Sequence, residues 1–149
     1  MNTFLASGSR QGRGVTLLAL YEGLEAGIEV QRSIDRLVAN LGGDKVDVRI
    51  WRFDMLRDPQ MAAHAGAEAR GADVLLIATD QHDTIPDPVA HWLKAVVDHL
   101  DARGACVAHI KVNGKPRHEN PTADYLARLA RRHGHAFFNT VRSRPEINS

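Results

Sequence analysis

Strands and helices alternate along this chain in a way that predicts one α/β domain: a three-layer sandwich, with helices on both faces of a five-stranded parallel sheet. Three observations carry the prediction. The chain has 149 residues, 44% of them hydrophobic, which is enough for one ordinary core and leaves no room for a second. Short apolar runs alternate with longer stretches of helical spacing, from Val15 to Val141. The run Val74-Leu75-Leu76-Ile77-Ala78 is unbroken by polar residues, which suits a central strand covered on both sides, and it empties through a polar, acidic loop into a helix opened by Asp87 and Pro88.

Each element follows from its residues. Residues 1–14 are rich in Gly, Ser and Arg with little to bury, and are expected as a flexible N-terminal arm; residues 15–149 are expected to form the domain. Val15 to Tyr21 is the first strand. From about Leu24 to Leu41, Ile34, Leu37, Val38 and Leu41 recur at helical spacing, and Gly42-Gly43 supplies the stop. Val46 to Phe53 alternates, with Val46, Val48 and Ile50 on one face, and so belongs near an edge. Asp58 caps an alanine-rich helix that begins at Pro59 and ends before Gly71. The central strand spans Ala72 to Ala78, and the following helix, Pro88 to about Leu100, carries an apolar stripe of Val89, Trp92, Leu93, Val96 and Val97. Ala105 to Val112 is the fourth strand, Asn113 to Pro121 a basic loop, and Thr122 a cap for a helix through Arg132. Ala136 to Val141 is the fifth strand.

Composition narrows the function classes. No apolar run approaches the roughly 18 residues of a membrane span, and the first residues show no secretory signal, so a cytoplasmic protein is expected. The one cysteine, Cys106, lies in a strand-like run and reads as a packed thiol. Net charge is +1 but unevenly spread: residues 15–102 hold eight Lys/Arg against fifteen Asp/Glu, whereas residues 103–149 hold nine against three. That asymmetry reads first as two solvated faces of unlike charge, and second as steering for a partner or self-association. The basic residues are not interleaved with aromatics, which argues against nucleic-acid binding.

In a doubly wound sheet, ligands sit beyond the carboxyl ends of the strands. The loops expected there, Glu22 to Glu25, Asp80 to Asp87 and Asn113 to Asn120, make Glu22, Glu25, Asp80, His82, Asp83 and Lys111 the candidate ligand-binding edge. Glu22 and Asp80 offer hard oxygen ligands to a divalent cation, with Lys111 approaching from the fourth strand. His82, flanked by Asp80 and Asp83, suits acid/base or cation-binding roles. Most of the other histidines read as solvated or capping residues, their spacings form no recognised metal motif, and no catalytic triad can be assembled.

The stretch Ala72-Asp73-Val74-Leu75-Leu76-Ile77-Ala78-Thr79, with Thr84-Ile85-Pro86 after it, resembles the NAD(P)H-dependent FMN reductases of the flavodoxin-like superfamily. That resemblance implies a flavodoxin-like fold of strand order 2-1-3-4-5 and a homodimer. The chain departs from the family where the flavin phosphate is cradled: the first strand is followed by Tyr21-Glu22-Gly23-Leu24-Glu25-Ala26-Gly27, with no Ser/Thr/Gly/Arg loop. Free amides, hydroxyls or cations at a helix N-terminus bind phosphate; Glu22, Glu25, Asp80, Asp83 and Asp87 repel it. A second segmentation makes Thr3 to Ala6 the first strand and Ser7-Gly8-Ser9-Arg10 the phosphate loop, at the cost of burying Val15 to Leu20 inside a long helix. The expectation is a non-catalytic binding or protein-interaction module that needs no cofactor. The alternatives are an FMN-dependent NAD(P)H oxidoreductase with atypical loops, and a signalling pseudo-receiver acting through Asn113 to Asn120. In the receiver alignment the phosphoacceptor position falls on Ala78.

Overall fold

The computed structural model describes residues 14–81, 84–100, 105–112 and 121–142. In chain order the elements are β1 (Val15–Tyr21), α1 (Leu24–Leu41), β2 (Val46–Arg52), α2 (Pro59–Ala69), β3 (Val74–Thr79), α3 (Asp87–Asp98), β4 (Cys106–Val112), α4 (Pro121–Arg132) and β5 (Ala136–Arg142). Short 3-10 turns precede β2 and follow it, at Gly43–Lys45 and Phe53–Arg57. All strand pairs are parallel and the order is β2-β1-β3-β4-β5. Val15 to Leu20 are extended between β2 and β3, so the segmentation that placed them in a helix is wrong. The expected arm, apart from Gly14, lies outside the described residues.

The period-2 alternation of the strands sorts the core into two layers. Leu18, Leu20, Leu75, Ile77 and Val107 point to one side, where α2, α3 and α4 cover them with residues such as Ala65, Ala69, Val89, Leu93, Val97, Leu126 and Leu129. Leu17, Ala19, Leu76, Ala78, Ile110 and Val112 point to the other and meet Ala26, Val30 and Ile34 of α1. Each buried Leu or Ile contributes about 1.5–3 kcal/mol relative to exposure, which is why the continuous run in β3 occupies the centre. The alternating strand β2 is an edge, as its pattern predicts. The alanines of α2 let that helix lie close to α3: the Trp92 indole N–H reaches the Ala62 carbonyl at 2.9 Å.

Local chemistry sets the ends. The Asp58 carboxylate accepts the N–H groups of Gln60 (2.9 Å) and Met61 (3.5 Å) at the start of α2. Gly42 closes α1 at φ +96°, a conformation that suits glycine, with its N–H on the Val38 carbonyl at 2.7 Å. Three expectations need correcting. Phe53 leaves β2 and turns inward with Leu56, because burying both side chains outweighs one more strand pair. Thr122 is the second residue of α4 and buried, and so does not cap that helix. Leu41 is exposed at the end of α1, where Ala26 and Val30 supply the inward stripe together with Ile34.

Asp73 stitches β1 to β3 at the amino end of the sheet: its carboxylate accepts the Thr16 N–H at 2.9 Å while its own N–H donates to the Thr16 carbonyl at 2.8 Å. Among the described residues no helix is long and apolar enough to cross a membrane.

Candidate functional site

The carboxyl ends of β1 and β3 meet at the switch point of the sheet, and the acids expected there face inward on each other's loops. The Glu22 N–H extends the ladder to the Ala78 carbonyl at 3.0 Å. Its carboxylate then turns back, and Oε1 accepts the N–H groups of both Asp80 and Gln81, each at 2.9 Å. In return Asp80 Oδ2 accepts the N–H of Ala26, the third residue of α1, at 2.8 Å. Gly23 precedes α1 and has no side chain to cap it, so the cap comes from the neighbouring strand. Two loops are thereby locked by a reciprocal exchange of carboxylates and amides. The second Asp80 oxygen, Oδ1, is buried and has no hydrogen-bond partner.

Gly23 is required by this lock. A Cβ there would stand 2.8 Å from Gln81 Nε2 and 2.9 and 3.0 Å from the two carboxylate oxygens of Asp80. The glutamine can swing away, but the aspartate is held by the Ala26 amide. Gly23→Ala is expected to displace that carboxylate and lower the unfolding free energy by about 1–2 kcal/mol, the usual loss for a helix cap, as read in urea titrations. An unchanged midpoint would show that the loops yield freely.

The arrangement opposes an external anion. In this sheet order an FMN sits at the β1/β3 switch point, and a helix N-terminus is the natural rest for a phosphate. Here the Asp80 carboxylate is on the first turn of α1 and the Glu22 carboxylate holds the facing amides, so an incoming phosphate meets two negative groups where it needs donors. Among the described residues, the first turn of α1 presents carboxylates where a flavin phosphate needs donors. One oxygen of each acid, Glu22 Oε1 and Asp80 Oδ2, accepts backbone N–H groups, and among the described residues no cluster of three or more His, Cys, Asp or Glu is placed to hold a metal ion. Ala78, at the receiver-like phosphoacceptor position, is buried in the α1-side core.

The structure brings Glu22 and Asp80 together, with Glu25 on the first turn of α1 beside them. Lys111 lies on β4 opposite Thr79, the residue before Asp80. His82 and Asp83 fall outside the described residues, as does the Asn113–Asn120 loop. The edge also holds a cavity of about 180 Å³ between the entry to α3 and the start of α4, lined by Thr84, Ile85, Ala90, Pro121, Thr122 and Tyr125. Its described lining residues carry aliphatic, aromatic and hydroxyl groups and no charge, and it lies on the α3/α4 side of the sheet. The Tyr125 hydroxyl is turned onto the Ala90 carbonyl at 3.2 Å.

One polar network escapes a sequence reading that takes most histidines as solvated or capping. His109 is 1% exposed in the middle of β4. Its Nδ1 is 2.8 Å from the Asn139 carbonyl oxygen on β5, and its Nε2 is 2.9 Å from the Thr79 hydroxyl on β3. Nδ1 therefore carries the proton and donates to Asn139, while Nε2 accepts from Thr79. Burial pushes the His109 pKa below its ordinary value; the bond to Asn139 works against this and the Lys111 charge adds to it. The signal was present: His109 sits within the apolar run Ala105 to Val112, on the same face as Val107. Cys106 has its thiol pKa raised by burial, which makes it less reactive.

No protein-family model matches this chain, and no curated protein matches it in sequence. Among solved structures it is similar to a metal-soaked Flv1 flavodiiron core from Synechocystis sp. PCC6803, with a TM-score of 0.58 at 11% identity. The match covers 91% of this chain and 32% of the other, so this chain spans about a third of the length of that solved one. Identity this low speaks to fold alone, and the fold is flavodoxin-like.

Proposed function

We propose that this flavodoxin-like domain is a non-catalytic binding module that works in the cytoplasm without flavin, taking its ligand or protein partner at the carboxyl edge of the sheet. The observation that carries this reading is the reciprocal Glu22–Asp80 lock, which fills the N-terminus of α1 with the chain's own carboxylate. A group that already satisfies these amides internally needs no nucleotide to do so, and its charge repels one. The concavity beside it, between α3 and α4, is walled by Ile85, Ala90, Tyr125 and threonine hydroxyls, which suits a small uncharged group or an apolar side chain of a partner.

The test is the absorption spectrum of freshly purified protein, followed by an FMN titration read by flavin fluorescence. A colourless protein that leaves FMN fluorescence unquenched is expected. Flavin bands, or saturable quenching, would overturn the reading in favour of an FMN-dependent NAD(P)H oxidoreductase with atypical loops.

A further inference from the structure

The two edges of the sheet are finished differently. On β2, Asp47, Arg49 and Arg52 are all exposed, with Arg49 paired to Asp47 and Arg52 to Asp54. Charges along an edge strand discourage another chain from pairing with it. β5, which ends the sheet among the described residues, reads Ala-Phe-Phe-Asn-Thr-Val from 136 to 141, without a charge, a proline or a glycine. Phe137 packs against the core beneath α4, but on the opposite face Phe138 is 61% exposed. Its register neighbour on β4 is Ala108, with Cys106 and Ala136 a step to one side and Ile110 and Thr140 a step to the other on the same face. An edge strand with no charge from Ala136 to Val141, ending at Arg142, beside an exposed aromatic suits strand addition.

We propose that this edge is a self-association surface, on which a second copy of this chain lays its own β5 antiparallel to the first about a two-fold axis through Asn139. Asn139 is the midpoint of β5. The axis sets each Phe138 beside Thr140 of the other copy and diagonal to the other Phe138, within reach of an aromatic ring. Phe137 then lies beside Val141 of the other copy, and the sheet continues through both molecules.

Charge selects a second copy over an unrelated strand. α4 lies over β4 and β5 and carries Asp124 in its first turn and Arg131 and Arg132 in its last. Its 12 residues span about 18 Å and run back along the 7 residues of β5, which span about 23 Å, so both midpoints fall near the axis. The two copies of α4 are thereby antiparallel neighbours, with the acidic start of each toward the basic end of the other. A surface complementary to itself under a two-fold rotation makes a closed, isologous pair.

Sedimentation of the full chain under reducing conditions, over a concentration series, tests this. Wild type is expected at twice the 16.4 kDa chain mass. Phe138→Glu and, independently, Thr140→Lys are expected to halve that mass while leaving the far-ultraviolet circular dichroism unchanged. Ile50→Glu on the β2 edge should remain a pair. Reversing Asp124 to Arg should weaken the pair, and adding Arg131→Asp and Arg132→Asp should restore it. A wild type that stays at the single-chain mass across the series overturns the proposal, as does an open-ended series of larger species, or a pair that survives both β5 substitutions. Should Phe138→Glu fail to fold, Thr140→Lys decides alone.

Discussion

Replacing His109 with alanine is expected to lower the free energy of unfolding by about 3–5 kcal/mol. Two effects add: the cavity left by a fully buried side chain, and the desolvated Thr79 hydroxyl and Asn139 carbonyl left without their partner. Wild-type stability should also depend on pH with a definite sign. The folded state holds His109 neutral, with a pKa below its ordinary value of 6.5, chiefly because burial penalises the charged form. As pH falls through 6.5 the unfolded chain takes up a proton that the folded chain refuses. The contribution of His109 is therefore fully present above that value and is lost as pH falls through the window down to the lowered folded pKa. Within the window the slope approaches about 1.4 kcal/mol per pH unit for one proton. His109→Gln, which keeps a hydrogen-bonding amide but cannot titrate, should be flatter by that amount in urea titrations run on both sides of 6.5. Equal slopes in the two proteins would show that His109 is charged, or exposed, in the folded state.

Asp80→Ala is expected to cost about 2 kcal/mol, at the upper end for a lost helix cap, because the group removed serves the N-terminus of α1 from another strand and also complements its dipole. Glu22→Ala should cost a similar amount, since it frees the amides of Asp80 and Gln81. The informative quantity is the double variant. Both carboxylates tie the same two loops, so once one is gone the other has less to hold. The combined loss should fall short of the sum by about 1 kcal/mol. Strict additivity in denaturant titrations would mean that the two bonds act independently and that the lock is not a unit.

Much of the fold was legible because it rests on periodicity. The run in β3 announced a strand covered on both faces, the alternation of Val46 to Arg52 announced an edge, and Asp58 and Gly42 marked helix ends through chemistry that is local to a few residues. The errors came where a local signal competed with burial. Thr122 has the chemistry of a cap, yet α4 begins one residue earlier and packs it inside; Phe53 continues the pattern of β2, yet turns into the core. The candidate edge was half legible. Glu22 and Asp80 were identified as neighbours, because the order of the strands brings their loops together. Their hydrogen bonds to the amides of Asp80, Gln81 and Ala26 were not legible, since a sequence shows which acids meet but not which backbone amides they will find. Asp73 was noticed within an Ala-Asp pair, while its stitch to Thr16 depends on a register that composition does not carry.

The amino-acid sequence by itself determined an α/β domain, the position of its strands and helices, and the acidic character of its switch-point loops. These follow from residue type and spacing along the chain, and need no knowledge of distant partners. Only the tertiary structure decided that the acids at that edge are spent on each other's loops, that His109 bridges Thr79 and Asn139 inside the sheet, and that one edge is guarded by charge while the other presents Phe138. Each of these joins residues that lie tens of positions apart, or sets a strand at a boundary. The physical reason is that hydrogen bonding and burial are settled by which groups parallel pairing brings within about 3 Å, and pairing is a property of the folded chain.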